Sequence, residues 1–358
     1  MFFIGKRKLT DNNGKWPTVT VIVAAYNEER FIGDKINNTL GLQYPEDKIK
    51  YIFVTDGSTD RTPEIILQYS KIELLHSSER NGKIAAIHRA MQRVKTEIVI
   101  FTDANTFLNH DALLKICRHY SDPLTGAVAG EKRVHAGERA DATAGEGFYW
   151  KYESKLKTWD SELYSTAGAA GELFSIRNNL YEPVEPDTVL DDFMISMLIA
   201  QKGYRIAYEP QAFAIEGGSE NIAEELKRKI RIAAGGIQSI FRLRALLNPF
   251  RYPVLSFQYV SHRVLRWTVT PFLMVLALLL NIMLAYSADE MLYKILLMLQ
   301  VVFYASSVTG WLLEKKEVRV KLLFIPYYFV MMNYAVVAGI QRYFSGRQSA
   351  IWEKAKRR

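Results

Sequence analysis

Three stretches without a charged side chain constrain this sequence most: residues 268–286 (TVTPFLMVLALLLNIMLAY), 295–313 (ILLMLQVVFYASSVTGWLL) and 322–341 (LLFIPYYFVMMNYAVVAGIQ). They run 19, 19 and 20 residues, against the roughly 20 apolar residues that a helix needs to cross a hydrocarbon core. A core helix of a soluble domain would show a polar face within that length. Residues 268–344 are therefore expected to be transmembrane, with spans at 268–286, 293–313 and 322–341 and a basic tail at 345–358. Pro326 and Asn333 interrupt the third stretch, so a kinked or re-entrant segment competes with a complete crossing. The complete crossing is expected, because a charge-free segment bends back in the bilayer only where a protein cavity receives it.

The net charge of +8 is unevenly placed. Lys227, Arg228, Lys229, Arg231, Arg242, Arg244, Arg251, Arg263 and Arg266 follow one another with no Asp or Glu between them. Residues 223–267 are thus expected to form basic amphipathic helices at the membrane interface, touching anionic lipid headgroups. Nucleic acid is set aside as a partner, since a span follows directly and no nucleic-acid-binding motif is present. The single cysteine, Cys117, excludes an intramolecular disulfide and a cysteine-rich metal site. The opening MFFIGKRKLT holds too short an apolar run for a signal peptide, so insertion is expected to rest on the C-terminal spans.

Residues 1–18 read as an N-terminal arm and 19–222 as an α/β domain, because strand and helix patterns alternate there. Strands are expected at 19–26 (VTVIVAAY), 50–55 (KYIFVT), 72–76, 97–102 (EIVIFT) and 126–130, with helices over 28–40, 60–69, 83–94 and 111–120. Residues 145–163 read as a long amphipathic helix, 165–171 (STAGAAG) as a small-residue loop, and Asp191-Asp192 as the start of a helix ending at Gly203. A strand is expected at 204–209. Two strands end in acids, Asp56 and Asp103. In open α/β sheets, ligands sit outside the carboxyl ends of the strands, so both carboxylates fall where a ligand is expected.

Asp103-Ala104-Asn105 offers a carboxylate and an amide oxygen two residues apart, a set that can hold Mg²⁺ or Mn²⁺ against a diphosphate. Taken alone, an acidic strand end is more often simply solvated. Asp56, in VTDGSTD, is either a turn aspartate bonding its own backbone or an acceptor for a nucleotide base or ribose. Arg80-Asn81-Gly82-Lys83 opens a helix with a glycine and a cation, as a phosphate-binding turn does; a lysine there is by default a surface residue. Asp192 starts a helix, a position that the helix dipole favours for any carboxylate.

The segments VIVAAYNEE (21–29), VTDGSTD (54–60), RNGKIAA (80–86), FTDAN (101–105), GELFSIR (171–177), LDD (190–192) and the basic run 228–238 occur in a shared order and spacing. Together they resemble the family 2 glycosyltransferases, specifically the membrane-bound branch that includes cellulose, hyaluronan and poly-N-acetylglucosamine synthases. The tail GRQSAIWEK (346–354) is similar to endings in that branch. The resemblance implies a GT-A, Rossmann-like fold for the catalytic domain at 19–222, a metal ion (Mg²⁺ or Mn²⁺), and inverting transfer from a nucleotide sugar, UDP being the expected nucleotide. It implies further that Ala25 and Glu28 flank the uridine pocket, Asp56 contacts uracil or ribose, and Lys83 lies near the nucleotide. Asp103 would ligate the metal with Asn105 at the end of the family's DxD, and Asp192 would be the general base.

One departure matters. The processive synthases carry QxxRW, and the matching positions here are Arg228, Arg231 and Ile232. The arginine that would clamp the diphosphate is kept as Arg231, with Arg228 as a second cation; the tryptophan that would stack on the acceptor sugar is gone. This weakens the expectation of polymerisation, not of transfer. The acceptor is expected to be a growing glycan or a lipid-linked one, with single-sugar transfer to a polyprenyl phosphate as the rival. A non-catalytic scaffold of a polysaccharide machine is disfavoured by the intact Asp56, Asp103, Asp192 and Arg231. Three spans make a channel only with a partner subunit or a homo-oligomer. Nucleotide sugars are cytoplasmic and the basic stretch follows the positive-inside bias, so the catalytic domain is expected on the cytoplasmic side of the inner or plasma membrane.

Overall fold

Val19–Ala25 is buried at all seven positions and forms β1, the centre of the parallel half of an eight-stranded sheet. In a computed structural model, residues 15–135, 144–217, 222–288, 290–316, 318 and 320–346 are described. After β1 come α1 (Ile32–Leu40), β2 (Ile49–Asp56), α2 (Thr62–Leu67), β3 (Ile72–Ser77), α3 (Lys83–Met91) and β4 (Ile98–Asp103). A short β5 (Thr106–Leu108), α4 (Ala112–Cys117), β6 (Thr125–His135), α5 (Ala144–Leu163), β7 (Leu173–Arg177), α6 (Asp191–Gln201) and β8 (Arg205–Gly217) complete the domain. The strand order is β3-β2-β1-β4-β7-β6-β8-β5.

Strands β3, β2, β1 and β4 run parallel, as the alternation predicts. Beside them β7 lies antiparallel to both β4 and β6. The alternation along the strands splits the core between the two faces. Ile22, Ile52, Val99 and Phe101 pack on one, and Val21, Val23, Phe53, Ile98 and Ile100 on the other. Phe101 pairs with Phe174 across β4 and β7, their rings stacked 4.6 Å apart. Asp56 and Asp103 therefore emerge together at one edge of this layer, because β1 is paired with both β2 and β4. The strand expected at 204–209 extends to Gly217, and β5 was not foreseen.

Beyond the sheet lie α7 (Ile222–Arg242), α8 (Pro253–Tyr259), a π turn at Val260–Val264, α9 (Leu265–Thr268), and three long helices, α10 (Thr270–Ser287), α11 (Met291–Lys315) and α12 (Lys321–Phe344). The last three are long and apolar enough to cross a membrane. Neither Pro326 nor Asn333 breaks α12, so the third stretch has the continuous form of a complete span. Asn281 and Gln300 bond at 2.9 Å between α10 and α11, a polar tie of the kind that holds apolar helices together. A Cβ on Gly339 would stand 2.5 Å from Ala233 Cβ, so α12 and α7 touch backbone to backbone.

Part of the basic stretch pairs with acids of the protein itself. Arg263 and Arg266 reach Glu153 of α5 at 3.1 and 3.0 Å, and Arg242 reaches Asp187 at 2.6 Å. These cations fasten the helices to the domain. The expected arm lies mostly, and the tail with its GRQSAIWEK motif almost wholly, outside the described residues.

Candidate active site

Asp56 is 5% exposed at the end of β2, and its Oδ2 accepts from the backbone amides of Asn81 (2.9 Å) and Gly82 (2.6 Å). The Arg89 guanidinium lies 3.6 Å from its other oxygen. Gly57 holds φ +68°, and a Cβ there would stand 2.5 Å from Arg80 Cβ; only glycine admits that approach. Arg80 in turn lies over the Tyr26 ring at 3.9 Å. The strap Arg80–Gly82 is thus held against β1 and β2, which delivers Lys83, the first residue of α3, to the end of β4.

Three carboxylates surround that lysine. Lys83 Nζ is 3.0 Å from Asp103 Oδ1 and 3.5 Å from Asp191 Oδ2. A Cβ on Gly171 would stand 3.3 Å from both Lys83 Nζ and Asp192 Oδ2, so the small-residue loop closes over all of them. Burial alone would lower the Lys83 ammonium. The carboxylates of Asp103, Asp191 and Asp192 outweigh it and hold the ammonium above its usual range. Asp192 moves the other way: burial and then the Asp191 carboxylate push it up to about 7. The site therefore pairs a fixed cation with a carboxyl that exchanges a proton near neutrality.

Beneath the Asp103–Asn105 turn lies a residue that the sequence reading missed. Lys35 of α1 is 0% exposed, and its Nζ donates to Thr102 Oγ1 at 2.9 Å and to the Thr106 carbonyl at 2.7 Å. It fixes the ends of the turn that carries Asp103 and Asn105. Burial lowers it to about 7, against the pull of Asp103. Lys35→Met keeps the length and removes the donor, leaving buried acceptors unpaired at about 1–3 kcal/mol. An ammonium whose folded value lies below its unfolded one makes the protein more stable as pH rises from about 7 towards 10.5. The wild type gains over that window and the variant does not, so their Tm gap should widen from pH 6 to pH 9. A constant or narrowing gap would mean that Lys35 is not buried as a titrating donor.

Of the remaining expected residues, Ala25, Asp56 and Lys83 line one small hollow with Arg80 and Gly82. Glu28 is buried at 3% exposure outside that lining, and its backbone NH donates to Thr62 Oγ1 at 2.8 Å. Asn105 sits partly buried in the turn between β4 and β5. Burial raises Glu172, and Lys132, a backbone bond and then Arg228 outweigh it and hold the carboxyl below its usual range, which sets the start of α7 beside the Gly171 loop. Arg231 lies on the same helix, partly buried. Among the described residues no three His, Cys, Asp or Glu side chains form a ready metal cluster. The donor set of Asp103 and Asn105 fits instead a hard cation of the Mg²⁺ type, which binds through one or two protein oxygens and the phosphates of a substrate.

Residues 20–184 match the family model described as Glycosyl transferase family 2. That segment is a family 2 glycosyltransferase domain. The match spans β1 to the segment before α6, so the Asp56, Lys83 and Asp103 cluster lies inside the family domain and Asp192 just past its edge. Among curated proteins, this chain is 25% identical over 256 residues to the poly-beta-1,6-N-acetyl-D-glucosamine synthase of Staphylococcus aureus (strain COL), and 26% identical over 235 residues to that of Staphylococcus epidermidis. The first match covers 68% of this chain and 61% of the synthase, the second 63% and 56%. The chain thus spans less than two thirds of those relatives. Among solved structures, the mannosyltransferase PcManGT from Pyrobaculum calidifontis, in complex with GDP-Man and Mn²⁺, superposes with a TM-score of 0.70 at 23% identity, covering 93% of this chain and 89% of that one. That likeness shows the fold: a GT-A-like mixed sheet followed by long apolar helices.

Proposed function

We propose that this chain transfers a sugar, with inversion, from a UDP-sugar to an acceptor presented at the membrane face, and that N-acetylglucosamine is the sugar. The observation that carries the reading is the convergence of Asp103, Asp191 and Asp192 on Lys83 at the carboxyl end of the sheet. Likeness to the poly-beta-1,6-N-acetyl-D-glucosamine synthases supports the sugar.

In this mechanism the backbone strap tied to Asp56 shapes the floor for the nucleotide, and Ala25 leaves room for it. Lys83 offers its ammonium to the diphosphate, and Arg228 and Arg231 approach from α7. Asp103 and Asn105 would hold Mg²⁺ or Mn²⁺, which offsets the charge of the departing diphosphate. Asp192 takes the proton from the acceptor hydroxyl as that oxygen attacks the anomeric carbon and the bond to the diphosphate breaks. Asp191 holds Lys83 in place and keeps Asp192 basic. Its catalytic domain works on the cytoplasmic side, where nucleotide sugars are found, of the inner or plasma membrane. A partner subunit or a second copy of the chain completes any passage for product.

Membranes containing the protein are incubated with a panel of radiolabelled UDP- and GDP-sugars and Mn²⁺. Nucleoside diphosphate release and label incorporation are expected with UDP-N-acetylglucosamine above the others. Incorporation from GDP-mannose alone would replace the donor, and no release from any nucleotide sugar would sink the reading. A chain-length ladder marks a polymerase, whereas one lipid-extractable glycoside marks single transfer.

A further inference from the structure

The helix that carries Asp191 and Asp192 begins without a capping side chain. Its N-cap is Leu190, whose side chain makes no cap bond, so the first turn of α6 takes its orientation from whatever holds the segment before it. That segment lies against the second half of α7. Gln238 of α7 is 7% exposed, accepts from the Val189 backbone NH at 3.1 Å and donates to the Asp187 carbonyl at 2.9 Å. Its amide pairs with the backbone as a neighbouring strand would, which takes a side chain with both a donor and an acceptor. Arg242, one turn on, donates to Thr188 Oγ1 at 2.9 Å and to Asp187 Oδ1 at 2.6 Å.

The contact is close as well as polar. A Cβ on Gly235 would stand 2.9 Å from Val189 Cβ and from Leu190 Cγ, and one on Gly236 would stand 2.4 Å from Trp267 Cδ2. Glycines inside a helix are unfavourable, and these two admit neighbours that no larger residue would. Trp267 stands edge-on to Phe193 at 5.3 Å. Helix α7 therefore reaches the residues on both sides of the Asp191–Asp192 pair, Leu190 directly and Phe193 through Trp267. Arg231 lies two turns before Gln238 on the same helix. One rigid element thus spans the diphosphate side and the base side of the reaction set out above.

We propose that Gln238, assisted by Arg242, is a positioning residue for the transfer step: it holds residues 187–190 so that Asp192 stays buried beside Asp191. The role in turnover rests on the transferase reading above; the hold on the loop does not. Burial and then Asp191 raise the Asp192 carboxyl, Lys83 and a backbone bond at Phe193 lower it, and Glu172 adds a smaller upward push. A slack loop admits water to that carboxyl and returns it towards the ordinary carboxylate range.

In the full chain in detergent, Gln238→Met keeps the length of the side chain and removes both of its backbone bonds. Hydrogen exchange of residues 185–190, measured without donor, should become faster in that variant and stay unchanged in the sheet. The kcat for nucleoside diphosphate release should fall roughly 10–100-fold, as a catalytic group misplaced by about 1 Å loses, with the donor's Kd unchanged. The acid limb of kcat/KM should move to lower pH. A residue that serves folding alone would lower kcat through the fraction of folded protein and leave that limb in place. Arg242→Met should show the same changes in smaller measure, because its partner Asp187 is exposed, and Arg242→Lys should reverse most of them. That pair decides the matter if Gln238→Met does not fold. Unchanged exchange at 185–190, an unchanged kcat, or a lowered kcat with the limb at its wild-type pH would overturn the proposal. Absent nucleoside diphosphate release by the wild type would count instead against the transferase reading, and the exchange measurement would still judge the hold on the loop.

Discussion

Asp192→Asn is expected to lower kcat by on the order of 10²–10⁴-fold, the usual loss when a positioned base is removed, with the donor's Kd close to wild type. The substitution keeps size and shape at the second position of α6, and Lys83 retains its contacts with Asp103 and Asp191. Only proton acceptance is removed. Steady-state release of nucleoside diphosphate and calorimetric donor binding measure the two quantities apart. The pH dependence gives an independent readout. Asp192 is raised to about 7 by burial and by Asp191, and its unprotonated form is the base. The kcat/KM profile of the wild type, which reports the free enzyme, should therefore fall as pH drops below about 7. Asp191→Asn removes the neighbouring like charge, so that acid limb should move to lower pH. If Asp191→Asn loses the activity while Asp192→Asn keeps it, the base is the first of the two aspartates and not the second.

How far the sequence could be read differs between the parts of this site, for a physical reason. β1, β2 and β4 carry runs of apolar residues ending in Asp56 or beside Asp103, and burial on both faces of a parallel strand requires such runs. Their position in the crevice followed from the sheet alone. Lys35 was invisible because a lysine in the helix IGDKINNTL reads as a solvated residue. Its burial depends on Thr102 and the Thr106 carbonyl, 67 and 71 positions away. The internal partners of the basic stretch were hidden for the same reason. No acid lies between Lys227 and Arg266 in the chain, yet folding brings Glu153 and Asp187 to Arg266 and Arg242. Lys157 too sits in a segment of mixed charge, KYESKLKTWD, where nothing local marks it as buried. Local pattern announces which backbone a segment adopts; it does not announce which distant charge will meet it.

Asp103→Ala is expected to abolish transfer at any metal concentration, and EDTA to do the same in the wild type, reversed by Mn²⁺ or Mg²⁺. Removing a group that stabilises charge developing on the leaving side costs on the order of 10²–10³-fold or more. The fold should survive, since Lys83 keeps Asp191 and the turn keeps its Lys35 bonds. The donor set makes a sharper demand. Asp103 Oδ1 already faces the Lys83 ammonium at 3.0 Å, and among the described residues no cluster of three acids or imidazoles stands ready. A divalent cation must then compete with Lys83 for one carboxylate until a diphosphate arrives to supply further oxygens and to draw the ammonium to itself. Metal and nucleotide should bind cooperatively: Mn²⁺ titrated by electron paramagnetic resonance should bind weakly alone and more tightly with UDP present. Lys83→Met should strengthen Mn²⁺ binding without nucleotide while weakening UDP. Tight Mn²⁺ binding to the wild type without UDP, or full turnover in EDTA, would remove this account of the site, because a standing metal would need oxygens that Asp103 and Asn105 alone do not provide.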